Sequence, residues 1–235
     1  MHVAHAILVA GFTARLAGCH RDAPSQAAID ASSTEPSPEV VTAAEPTASA
    51  SAADAPVRRG LRAGDIVFQT SRSAQSAAVQ AATRSPLSHM GLVLPLGSDL
   101  AVLEAVGPVK YTPVPEWIAR GVDGRVVVRR PRAALSEQDV SRLARAAERY
   151  LGRPYDAAFA WSDERLYCSE IVWKVYRDAL GVELGAPSRM RDLDLSSPIV
   201  AAKLRERYGR AVPLDEPVIS PQAIADAPAL VPVPP

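Results

Sequence analysis

Large apolar residues are periodic over parts of this chain and nearly missing from others, and that contrast divides it. From Ile171 to Ala179 they fall at Ile171, Val172, Val175, Tyr176 and Ala179, one buried helical face, with Gly181 as a stop. Cys168 opens that helix. A first strand is expected over Asp65–Phe68, then an Ala-rich helix from about Arg72 to Thr83 that ends before Ser85-Pro86. Met90–Leu94 and Leu100–Val106 read as strands joined by the turn residues Pro95–Ser98, a hairpin. Pairing Leu94 with Asp99 across that four-residue loop would set His89 opposite Glu104, with Cβ atoms about 5 Å apart. A short helix is expected over Pro113–Arg120 and a strand over Gly124–Arg130. Ser136, with Asp139 three residues on, caps a helix that runs to Gly152. A further helix follows Ser197-Pro198 and stops at Gly209 after Tyr208. Residues 223–235, rich in Ala and Pro, are expected to form a disordered tail.

The N-terminal part follows different rules. Residues 3–14 hold a short apolar run, too short for a bilayer span, which reads as an export signal. It ends in Leu16-Ala17-Gly18-Cys19, which resembles the lipobox of bacterial lipoproteins and makes Cys19 an expected lipid anchor to a membrane. His20 after the box is compatible with outer-membrane sorting in a two-membrane organism. Residues 20–57 are Ala, Ser, Thr, Pro and acids, which cannot bury enough surface to offset ordering. They read as a disordered tether with a reach on the order of 35 Å. The expected organisation is a signal with lipobox at 1–19, the tether at 20–57, a folded domain at 58–222 and the tail. The protein is thus expected in the cell envelope.

Composition narrows the chemistry. The formal net charge is zero, which gives no support for a nucleic-acid surface. Two cysteines and four histidines are too few for a disulfide framework or a closed zinc site, and no cofactor or metal is expected. Three histidines, His2, His5 and His20, lie in the signal or tether, so the folded domain offers one histidine, His89, and one cysteine, Cys168. A helix N-terminus favours an anion, and the thiolate is the form of sulfur that attacks carbonyl carbon. A thiol nucleophile needs a base, and the base needs an orienting acceptor on its other ring nitrogen. Candidates for that acceptor are Glu104, Glu170 and Asp156, of which Glu104 lies on a strand next to His89. Glu170 also has a plainer role, an acid complementing the helix dipole.

Several pieces together resemble one known family: Gly64–Phe68, Ser88–Leu92, Leu103–Ala105, Gly152–Asp156, Tyr167–Val172 and Val218–Pro221. They are similar to the permuted papain-like amidases of the YiiX type, within the NlpC-type cysteine peptidase superfamily. His89 precedes Cys168, as the permuted order implies. The resemblance implies an α+β permuted papain-like fold, with a small antiparallel sheet closing toward a barrel against the nucleophile helix. It implies Cys168 as nucleophile, His89 as base, Glu104 as its orienting group, and Tyr155 with the Cys168 backbone N–H as oxyanion donors. The expected function is hydrolysis of amide bonds, in peptides, cell-wall peptides or N-acyl amides, through an acyl-enzyme. Two alternatives stay open: a lipid acyl hydrolase or acyltransferase, favoured by an apolar channel at Cys168, and a lipid- or peptide-binding module without turnover. Trp117, Trp161 and Trp173 are either groove-lining or packing residues.

Overall fold

The computed structural model describes residues 60–234; the export signal, Cys19 and the tether lie outside the described residues. Strand β1 (Ile66–Gln69) is followed by α1 (Ser76–Thr83) and the hairpin β2 (His89–Leu96) and β3 (Asp99–Ala105). Next come β4 (Val109–Pro113), α2 (Val114–Ala119), β5 (Val127–Pro131), α3 (Glu137–Glu148) and α4 (Cys168–Leu180). The chain ends with β6 (Ser188–Arg189), α5 (Pro198–Tyr208), β7 (Pro217–Val218), α6 (Pro221–Ala225) and β8 (Leu230–Val233). Six strands form one antiparallel sheet in the order β4-β3-β2-β1-β5-β8. The class is α+β.

Alternation along the strands gives the sheet two apolar faces. Phe68, Met90, Leu92 and Leu103 pack with α3 and α4 on one side, while Val67, Val93 and Val102 pack with Trp117 and Ile118 of α2 on the other. On α4 the residues Ile171, Val172 and Val175 are fully buried, each stabilising the fold by about 1.5–3 kcal/mol relative to exposure. The α3 capping box forms as expected: the Ser136 hydroxyl accepts from the Asp139 N–H, and Asp139 accepts from the Ser136 N–H at 2.9 Å. Gly64 carries φ +90°, and its carbonyl accepts from the Tyr176 hydroxyl, which ties the entry of β1 to α4. Asp65, buried beside it, accepts both arms of an Arg130 fork at 2.7 Å each.

Four expectations are corrected. The hairpin turns on two residues, because Leu96 rather than Leu94 pairs with Asp99, and Gly97 with φ +63° supplies the tight turn. The slip is two residues, so every side chain keeps its face and His89 sits diagonal to Glu104 instead of opposite. Second, the sheet does not close into a barrel. Edge β4 is instead bridged by the Gly152–Pro154 turn, through Val109 N–H to Arg153 and Gly152 N–H to Val109, and edge β8 carries Pro232. Third, the tail expected to be disordered from residue 223 is folded: Pro221–Ala225 form α6 and Leu230–Val233 form β8, because Ile224, Ala225, Ala227 and Leu230 bury against the core. Fourth, β5 begins at Val127, since Val122–Gly124 form a 3-10 turn.

Candidate active site

Cys168 is placed by the start of α4, and that start is fastened from outside the helix. The Ser169 hydroxyl donates to the Ile219 carbonyl at 2.7 Å, and the Ile219 N–H donates to the Tyr167 hydroxyl at 3.1 Å. The segment around Val218–Pro221 therefore clamps the cysteine in position. At the first helical residue the Cys168 N–H has no carbonyl one turn earlier to bond, so it is a free donor for a substrate oxygen.

His89 starts β2, the strand that also packs against α4. Its Nε2 lies 2.6 Å from Glu104 Oε2, which leaves Nδ1 as the nitrogen available to Cys168. Burial by itself would lower the imidazole pKa. A hydrogen bond and charge from Cys168, joined by those from Glu104, outweigh burial and raise it from 6.5 to about 9. The ring also stacks on Trp117, with centroids 6.1 Å apart. The chain has brought the domain's cysteine and histidine together across nearly eighty residues.

Glu104 is completely buried, and its second oxygen accepts from Thr112 at 2.6 Å and from Arg120. Burial pushes its pKa up, but the His89 bond and charge, with Thr112 and Arg120, bring it below the ordinary 4.5. The carboxylate is held ionised. The other two candidates for that place go elsewhere. Glu170 is buried 2.9 Å from Lys174, and burial raises its pKa to about 7; Asp156 accepts from the Ala158 N–H at 2.8 Å. Neither is bonded to His89.

Tyr155 reaches the same place from the Gly152–Asp156 turn. Burial and the charge of the nearby Cys168 sulfur push its pKa up, so the phenol keeps its proton. Gln75 donates to the phenol oxygen and accepts from Arg207 at 2.8 Å, which leaves the phenolic hydrogen free to donate. Gln75, Thr112, Arg120 and Arg207 were not singled out in the sequence. Nothing local marks them, since each acts through a partner distant in the chain. The tryptophans are packing residues: Trp161 meets Trp173 edge to face at 5.2 Å, and Trp117 is buried under His89.

Two hollows meet at these groups. One, of about 90 Å³, is lined by Cys168 and by apolar side chains including Ala78, Phe159, Val200, Leu204 and Ile219. The other is a groove of about 620 Å³ lined by His89 with Arg72, Arg120, Lys203 and Arg207. Tyr155, Gln75, Ser88, Lys203 and Arg207 border both.

A helix-borne cysteine against a histidine braced by a carboxylate, beside an antiparallel sheet, is the arrangement of a papain-like cysteine hydrolase. The histidine strand preceding the cysteine helix makes it a permuted one. The family model of permuted papain-like amidase enzymes, YaeF/YiiX, C92 family, matches residues 60–233, and the chain belongs to that family. It is 55% identical over 167 residues to the uncharacterized protein YiiX of Escherichia coli strain K12, covering 71% of this chain and 83% of that one. It is also similar to the crystal structure of metalloprotein yiiX from Escherichia coli O157:H7, with TM-score 0.72, 54% identity, and coverage of 74% and 96%. Among the described residues here, no three His, Cys, Asp or Glu side chains are grouped to hold a metal ion. Glu104 has both oxygens committed to His89, Thr112 and Arg120. A metal does not fit this donor set.

Proposed function

We propose that this cysteine hydrolase cleaves amide bonds by acyl-enzyme chemistry at Cys168. The observation that carries the reading is His89 bonded at 2.6 Å to the ionised Glu104, with Cys168 near enough to raise the ring's pKa. The Cys168 thiolate forms an S–C bond to the carbonyl carbon, and the oxyanion is met by the Cys168 N–H and the Tyr155 hydroxyl. His89, charged at neutral pH, gives its proton to the nitrogen as the C–N bond breaks. Water, deprotonated by His89, then attacks the thioester, which frees a carboxylic acid and restores the thiol. Glu104 keeps the ring in orientation and stabilises its charged form. If the lipobox is used, the reaction takes place in the cell envelope, on the domain's tether to a membrane at Cys19.

One observation favours acyl chains over extended peptides on the carbonyl side. The hollow at Cys168 is apolar, and at about 90 Å³ it is smaller than the ~150 Å³ cavity that holds benzene. A short acyl chain or one apolar side chain fits. The test incubates the protein with peptidoglycan fragments and, separately, with N-acyl amino acids of increasing chain length, and reads products by mass spectrometry. Wild type should release amine and acid from one class and Cys168→Ala from neither. Equal turnover by Cys168→Ala would refute the mechanism. Unreactive Cys168 toward an electrophilic thiol probe, with binding but no cleavage, would return the domain to a binding module.

A further inference from the structure

We infer that the substrate carries an anionic group on the amine side of the scissile bond, bound in the cationic groove beside His89. This rests on the hydrolase reading above and adds the direction in which the substrate lies. Proton transfer places the leaving nitrogen against His89, and bond formation places the acyl carbon against Cys168. The apolar hollow is lined by Cys168 and not by His89; the groove is lined by His89 and not by Cys168. The two hollows thus sort the two halves of an amide: acyl group into the apolar one, amine portion into the groove.

The groove has a marked charge. Arg72 and Arg120 line the groove alone, Lys203 and Arg207 stand on the wall where it meets the apolar hollow, and no carboxylate lines it. Arg120 is neutralised by Glu104 from behind, and Lys203 pairs with the exposed Glu206 at 2.7 Å. Among the described residues, Arg72 and Arg207 are in no ion pair. Arg207 is not loose, however: Gln75 accepts from it at 2.8 Å, and it lies 5.0 Å over the Phe159 ring. A guanidinium fixed by a neutral partner and an aromatic face keeps its charge and its remaining N–H donors for an anion. A chain that is neutral overall has placed two cations without an ion pair, Arg72 and Arg207, beside the base. The chemistry recognised is a carboxylate or phosphate close to the leaving nitrogen, as in an N-acyl amino acid or an amide of an acidic peptide.

The experiment compares N-hexanoyl-glycine with N-hexanoyl-glycinamide, which share the acyl group and the scissile bond and differ only in the anion. A third probe, the N-hexanoyl amide of aminoethyl phosphate, distinguishes phosphate from carboxylate. Turnover is measured with wild type, and binding is measured with Cys168→Ala by calorimetry. The expected result is a preference of about tenfold or more for an anionic probe over the glycinamide. In Arg72→Gln/Arg207→Gln the preference should collapse, read as a ratio within each variant so that any loss shared by all probes cancels. Equal turnover of charged and uncharged probes by wild type, or their equal binding by Cys168→Ala, overturns the inference and leaves the hydrolase reading intact. Selective binding of the anionic probes without turnover supports the groove and overturns the hydrolase reading for these amides. Neither binding nor turnover of any probe overturns both.

Discussion

Replacing Glu104 by Gln keeps the side chain's shape and removes its charge, which isolates the role assigned to that charge. In the folded protein Glu104 bonds to His89 at 2.6 Å, to Thr112 at 2.6 Å and to Arg120, with no exposure to solvent. Two effects follow for His89: it loses a charge-assisted bond, and it faces an Arg120 whose counter-charge is gone. Charge-assisted bonds contribute ~1.5–3 kcal/mol, so kcat/KM should fall about 10- to 100-fold. The His89 pKa should fall from about 9 by on the order of one unit, remaining partly raised by Cys168. Ring titration by NMR, assigned with His89→Asn, measures the second effect, and kcat/KM on any cleaved amide measures the first. The sign for stability is fixed by the same shift. With a folded value above 6.5, His89 contributes fully below 6.5 and loses that contribution as pH rises through about 9. Wild type should therefore lose thermal stability on the alkaline side, and E104Q should lose less across that window. An unchanged His89 midpoint, with kcat/KM within about twofold of wild type, would refute the reasoning.

Other expectations follow from single features. Asp65→Asn removes the charge that holds the partly exposed Arg130 and should cost roughly 1.5–3 kcal/mol in urea unfolding, the range for a hydrogen bond to a charged group. Gly91→Ala places a Cβ 2.3 Å from Val102 Cγ1 and 2.7 Å from the Leu103 carbonyl; about 1–3 kcal/mol of destabilisation should appear in the same assay. Leu204→Trp fills the apolar hollow and should shorten the longest N-acyl chain accepted, read as a changed chain-length profile of kcat/KM. Deleting residues 228–235 strips β8 from β5 and takes away the buried Leu230, and a lowered melting temperature should register it.

How much could be read from residues alone depended on whether a signal was local. Apolar spacing located α4, and simple counting of histidines and cysteines led to Cys168 and His89, because no other residue of either type was left in the domain. Glu104 emerged from the hairpin even though the register was off by two, since an even slip preserves the face and a diagonal neighbour still touches. Arg120 and Gln75 stayed hidden: a surface-type residue at a helix end or ahead of a helix carries no mark of a partner 16 or 80 positions away. The tail was misread because Ala and Pro dominate its composition. Four well-spaced apolar residues were enough to dock it, and an edge position tolerates proline.

The placement of β8 affects how the molecule can be made. Strand β5 emerges roughly a hundred residues before its partner, so during synthesis its outer rim has nothing to pair with until β8 has been made. A product stopped before Leu230 would expose that rim to other chains, and one that has reached Val233 is the first able to seal it.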